Sequence, residues 1–124
     1  MRTFTFGDNI KLFDKLLSLV RSKKKTATCQ ALRKFERGME KMPSAGRIDI
    51  SLNWNDPPVL AIRTLSILIE KFSVVGELFA LAVGESDSLE GWWLDHQAYF
   101  KRNGGFEPDM RLVWERFELV ENFG

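Results

Sequence analysis

The chain has one cysteine and one histidine among its 124 residues. A lone Cys29 excludes an internal disulfide, and together with His96 it cannot assemble a typical structural zinc site. No metal and no cofactor is expected. There is no apolar run long enough to cross a bilayer and no leader-like apolar stretch at the start, which points to a cytoplasmic protein that does not enter membranes. Internal repeats and low-complexity linkers are missing too. Neither charge is in surplus: 18 lysines and arginines face 17 acids, a net charge of +1. Any contact with nucleic acid must therefore come from local clustering of charge. What remains is a globular composition, 44% hydrophobic and 28% charged. The length suits one core, so a single domain over 1–124 is expected.

Periodicity orders the chain. Residues 1–7 read as a short extended arm in which Phe4 and Phe6 flank Thr5. Asp8 or Asn9 caps a helix over 9–22, with Ile10, Phe13, Leu16, Leu17 and Val20 on one face. The basic stretch from Arg21 to Lys25 then falls at that helix's C-terminus, where cations meet the negative end of the dipole. Residues 30–42 read as a second helix, ended by Pro43-Ser44-Ala45-Gly46. Over 47–52 the period becomes two, with Ile48, Ile50 and Leu52 on a buried side. Residues 59–67 form a longer strand that pairs with it as an antiparallel hairpin. Ser73 caps a helix to about residue 83, burying Val74, Leu78, Phe79 and Leu81. Ser88 caps an aromatic helix carrying Trp92, Trp93, His96, Tyr99 and Phe100, which Asn103-Gly104-Gly105 stops. Residues 111–121 alternate as a final strand. The class is α+β: a small, mainly antiparallel sheet, curved and closed into a β-barrel by two or three further extended pieces, with flanking helices.

An ordered set of short motifs runs through this frame. Phe6-Gly7-Asp8 precedes the first helix and Lys24-Lys25-Thr26-Ala27-Thr28 follows it. Gly46 opens one strand and Ile62-Arg63-Thr64 lies inside the next. Gly84-Glu85, Leu89-Glu90, Trp92 and His96 come next, then Phe106, Asp109-Met110 and Glu115-Arg116-Phe117. Together they resemble the ASCH domain, a branch of the PUA-like β-barrel superfamily, over nearly the whole chain. The resemblance implies a PUA-like barrel with a cleft beside the Lys-Thr segment. It also implies two kinds of activity. PUA-like folds are mainly RNA-binding, and some relatives are described as ribonucleases. One branch of small bacterial ASCH proteins hydrolyses N4-acetylcytidine with a lysine, a threonine three positions later and a glutamate before the next helix. Carried over, these are Lys25, Thr28 and Glu85. The sequence departs from the pattern where the glycine before the Lys-Lys pair is Lys23. It departs again where an arginine two residues after the threonine is Gln30, with Arg33 nearby to fill its role.

The residues carry matching chemistry. Amide hydrolysis needs a nucleophile, a route for its proton and a donor for the developing oxyanion. Thr28 is the expected nucleophile. Lys25 either activates it or stabilises the oxyanion, and Glu85 shuttles a proton from Thr28 or from water. Spacing alone gives a plainer alternative, a solvated helix end followed by a threonine that starts a strand. Phe6 and Asp8 are expected to cover the cleft and touch a pyrimidine edge, or simply to act as staple and cap. Lys23, Lys24 and Arg33, joined by Lys34, supply phosphate contacts to single-stranded RNA. Arg63 and Arg116 sit on strands, where an inward arginine needs an acid or a ligand phosphate. Trp92, Trp93 and Tyr99 either stack a base or pack the core, and His96 either packs among these aromatics or contacts substrate. Cys29 lies near lysines that favour a thiolate, but no histidine is close to it in sequence. The expected activity is therefore removal of an acyl group from an N4-acylated cytosine nucleoside. The alternative is an RNA-binding module with or without ribonuclease activity.

Overall fold

The computed structural model describes residues 2–6, 9–38, 41–53 and 57–123. Strand β1 (Arg2–Phe4) leads through the arm to helix α1 (Ile10–Arg21). The helix starts where Asn9 Oδ1 accepts a hydrogen bond from the Leu12 amide at 2.9 Å, the capping arrangement expected of asparagine. Its apolar stripe buries Phe13, Leu16, Leu17 and Val20, while Ile10 at its first position stays 55% exposed. The end is a Schellman turn. Lys24 N–H donates to Leu19 C=O and Lys23 N–H to Val20 C=O, each at 3.0 Å. Lys23 takes the left-handed conformation this turn needs, with φ +64°.

The expected helix over 30–42 shrinks to α2 (Leu32–Glu36), because its first residues belong to strand β2 (Ala27–Ala31). β2 forms an antiparallel ladder with β5 (Arg111–Asn122), and the ladder overrides the weak helical pattern of Gln30 and Ala31. Strands β3 (Ile48–Leu52) and β4 (Pro58–Lys71) form the expected hairpin, β4 running four residues beyond the predicted 59–67 at its C-terminal end. Asp49 and Ser51 are the fully buried residues of β3, while Ile48, Ile50 and Leu52 are half-buried, the reverse of the predicted sidedness. Asp49 is sustained inside by Arg47, whose Nη2 donates to its Oδ2 at 2.9 Å.

After β4 a single 3-10 turn, Phe72–Val74, precedes α3 (Glu77–Ala82). The helix is capped at Gly76 and not at Ser73. Its buried residue is Ala80, with Val83 buried just after it, while Val74 (58% exposed), Leu78 (86%) and Leu81 (37%) face outward. The cap lies three residues later than expected, and of the predicted face Phe79 alone packs against the core. Helix α4 (Leu89–Arg102) starts as expected, with Ser88 Oγ accepting from Gly91 N–H at 3.0 Å.

The strand order is β1-β3-β4-β5-β2, antiparallel except for the parallel β1–β3 pair. The sheet is not closed into a barrel, contrary to expectation. Among the described residues β1 is three residues long and bonds only to β3, and β2 bonds only to β5. Two apolar clusters pack the sheet. One joins Leu112 and Trp114 to Phe72, Trp92 and Phe100. The other joins Phe117 to Phe6, Phe13, Leu17, Val20 and Leu60. Alternate residues of β5 thus feed opposite cores, and α1 and α4 lie on different clusters. Among the described residues no helix is long and apolar enough to cross a membrane.

Candidate functional site

A cleft of about 390 Å³ opens where closure of the sheet would have joined its edges. Phe4 of β1 and Phe6 of the arm line it from one side, and Thr28, Cys29 and Gln30 of β2 line it from the other. Helix α4 contributes Asp95, His96 and Tyr99. The open edges that defeat the barrel are what make room for the cleft.

Lys25 is the third of three consecutive lysines, yet it is 2% exposed. The chain leaves the Schellman turn and is stitched to the end of α3 by Thr26 N–H donating to Ala82 C=O at 2.8 Å. That contact turns Lys25 inward. Its ammonium donates to Ala27 C=O at 2.9 Å, to Val83 C=O at 3.2 Å and to Glu85 Oε2 at 2.9 Å. Three donors meet three acceptors, so the buried charge is fully matched. Gly84 makes this approach possible. It has φ +77°, and a Cβ there would lie 2.6 Å from Lys24 O and 2.8 Å from Lys25 Cα. No other residue fits between the two segments.

Thr28 lines the same cleft and its hydroxyl makes no hydrogen bond among the described residues. Cys29 is half-buried at the cleft, and burial pushes its thiol up to about 12, against the pull of Lys25, so the thiolate is disfavoured. His96 packs as one of its two expectations has it, and it stands at the cleft. Its ring stacks on Trp92 at 4.5 Å between centroids. Nδ1 lies 3.0 Å from Trp92 C=O, which only accepts, so Nδ1 carries the proton and Nε2 is the acceptor of the neutral ring. Burial holds its pKa below the ordinary 6.5, against the opposing pull of Glu85.

Other expected residues stand elsewhere. Lys23 and Lys24 are exposed, and Lys24 reaches only Asp87 at 3.5 Å, an exposed pair worth little. Arg33 does not take the place of the missing arginine. Its Nη2 donates to Gly105 C=O at 2.6 Å and Asn103 C=O at 3.4 Å, tying α2 to the end of α4. Arg63 points out and pairs with Glu118 at 2.8 Å, and Arg116 is exposed, so neither is the inward arginine that was considered. Trp92 is 0% exposed in the core, stacked on Phe72, and is not available to a base. Asp8 lies outside the described residues.

Among the lining residues that sequence reasoning did not assign to the site are Gln30 and Glu115, whereas Tyr99 was expected to stack a base or pack the core. Gln30 presents a side-chain oxygen that is buried without a hydrogen-bond partner among the described residues. Tyr99 carries Arg102 over its ring at 5.3 Å. Glu115 is 4% exposed and accepts from Thr64 Oγ1 at 2.6 Å. A glutamate in the apolar part of a strand pattern is the signal that was there to be read.

The model of the ASCH domain family matches residues 2–121. Among solved structures, the ASCH domain of Lactobacillus crispatus is 27% identical with a TM-score of 0.87, over 95% of this chain and 78% of that one. A protein of Enterococcus faecalis is 35% identical with a TM-score of 0.88, over 98% of this chain and 77% of that one. A hypothetical protein at 13% identity and TM-score 0.61, over 96% of both chains, shares the fold alone. No protein of curated function matches the sequence. With the family model covering nearly every residue and a 35%-identical relative covering nearly the whole length, the chain belongs to the ASCH domain family.

Proposed function

We propose that the cleft hydrolyses the acyl amide of an N4-acylated cytosine nucleoside. The observation that carries this reading is the buried Lys25–Glu85 ion pair at 2.9 Å, set in a cleft that Thr28 shares. A matched buried pair costs desolvation, and stability alone is a poor reason to keep one. At about 390 Å³ the cleft lies within the range of small-molecule sites and accommodates a nucleoside. Thr28 attacks the acyl carbon and forms an ester. Lys25 stabilises the developing oxyanion through its positive charge and, since its three N–H groups are committed to Ala27, Val83 and Glu85, by exchanging one of these bonds for the oxyanion as it forms. Glu85 handles the proton of the water that clears the ester. Phe6 and Tyr99 supply apolar walls for the base, and His96 Nε2 offers an acceptor to an exocyclic N–H.

Purified protein incubated with N4-acetylcytidine is expected to release cytidine, followed by chromatography. Thr28→Ala is expected to lower turnover about 100-fold or more, and Lys25→Ala by a similar factor. Absence of turnover, or turnover that neither substitution changes, sinks the reading.

One observation favours single-stranded RNA as the alternative substrate. Lys15, Lys34 and Arg102 also line the cleft and present cations to a phosphate. RNA held this way is released as salt rises. A gel shift that shows no complex at low salt removes it.

A further inference from the structure

We propose that Glu115 is the proton acceptor that activates Thr28, an inference that rests on the hydrolytic reading above. Thr28 and Glu115 are direct partners in the antiparallel ladder between β2 and β5. Opposed residues of such a ladder project to the same side, with Cβ atoms about 4.5–5.5 Å apart. A glutamate spans that gap to a hydroxyl with ease. Both residues line the cleft.

Glu115 is held for the task. One of its oxygens, Oε2, accepts from Thr64 Oγ1 at 2.6 Å. Thr64 is the ladder partner of Phe117, two residues further along β5, and the register of β4 slips between Thr64 and Ser66. A bulge of this kind bends the strand and re-aims a side chain, and here the Thr64 hydroxyl is turned onto the carboxylate. Thr28, Glu115 and Thr64 thus stand in the order nucleophile, base and orienting group. Glu85 is placed differently. It sits on the loop after α3, with Oε2 committed to Lys25, and no ladder sets its distance from Thr28.

The step balances. Glu115 takes the hydroxyl proton of Thr28 as Oγ1 bonds to the acyl carbon, and the carbonyl π pair moves onto oxygen. When the adduct collapses that pair returns and the C–N bond breaks. The proton then passes from Glu115 to the departing exocyclic nitrogen.

The test reads the nucleophile without the nucleoside. An aryl sulfonyl fluoride sulfonylates an activated hydroxyl oxygen and releases fluoride, and peptide mass spectrometry locates the adduct on the full-length protein. Wild type is expected to be labelled on Thr28, and E115Q about 100-fold more slowly. The amide of E115Q still accepts from Thr64, so its fold is retained, as its thermal unfolding will register. E115D, which keeps the charge and shortens the reach, is expected to fall between the two and serves in place of E115Q should that variant not fold. An unlabelled Thr28 in wild type, or equal rates in wild type and variants, overturns the assignment. Labelling that depends on Glu115 without release of cytidine from N4-acetylcytidine refutes the substrate and keeps the base. Cytidine release without such labelling does the reverse.

Discussion

Three residues set the geometry of the cleft by backbone or burial, and each gives a test. Gly84 lets the loop touch Lys24 and Lys25, so Gly84→Ala forces a Cβ into backbone 2.6 Å away at a positive φ. A loss of about 2–4 kcal/mol in urea unfolding is expected. Lys23 holds a left-handed conformation in the Schellman turn, where glycine is the usual occupant. Lys23→Gly is therefore expected to stabilise the fold by up to about 1 kcal/mol, the relief of strain exceeding the added freedom of the unfolded chain. A fall in the unfolding midpoint contradicts this. His96 has a folded pKa below the ordinary 6.5 because it is buried. As pH falls through that value the unfolded chain binds the proton first, so stability declines on acidification and is complete above it. An NMR titration of the imidazole with a midpoint at or above 6.5 excludes the buried, neutral ring.

At the level of elements, the sequence was most readable where a local signal and the tertiary context agreed. Asn9 and Ser88 capped the helices they were expected to cap, and Gly104-Gly105 follows the end of α4. It misled where the two disagreed. Gln30 and Ala31 carry no strand signal strong enough to beat their helical neighbours, and only pairing with β5 makes them β2. The sidedness of β3 was inverted because alternation gives a period and not a direction, and Arg47 lets Asp49 turn inward. The start of α3 was misplaced because Ser73 lies inside the Phe72–Val74 turn and the backbone is extended at Val75 and Gly76 before the helix begins. In the site, Lys25, Thr28 and Glu85 were recognisable as a set, and the structure brings all three to one cleft. Arg33 was not readable, since its partners Asn103 and Gly105 lie 70 and 72 positions away. Its role as a clamp between α2 and α4 predicts that Arg33→Ala costs about 1–3 kcal/mol of stability. Turnover per folded molecule should hold. A selective loss of turnover with an unchanged melt returns Arg33 to the site.

For the molecule as a whole, charge is distributed in a way that separates the two readings of function. The exposed cations Lys23 and Lys24 lie outside the cleft, while the buried Lys25 is committed inside it. A polyanion gripping this surface would add these two to Lys15, Lys34 and Arg102 at the cleft, whereas the acyl chemistry proposed for a nucleoside calls on Lys25 alone among the lysines. The open sheet edge, the arm and α4 together build the cleft of about 390 Å³. The most direct measurement is turnover of N4-acetylcytidine by wild type, Glu85→Gln and Lys24→Ala side by side. Glu85→Gln removes the charge facing Lys25 in the cleft and is expected to lower turnover about 100-fold or more. Lys24→Ala removes an exposed pair and is expected to leave turnover within about twofold. No cytidine release by wild type, or equal losses in both variants, contradicts the account.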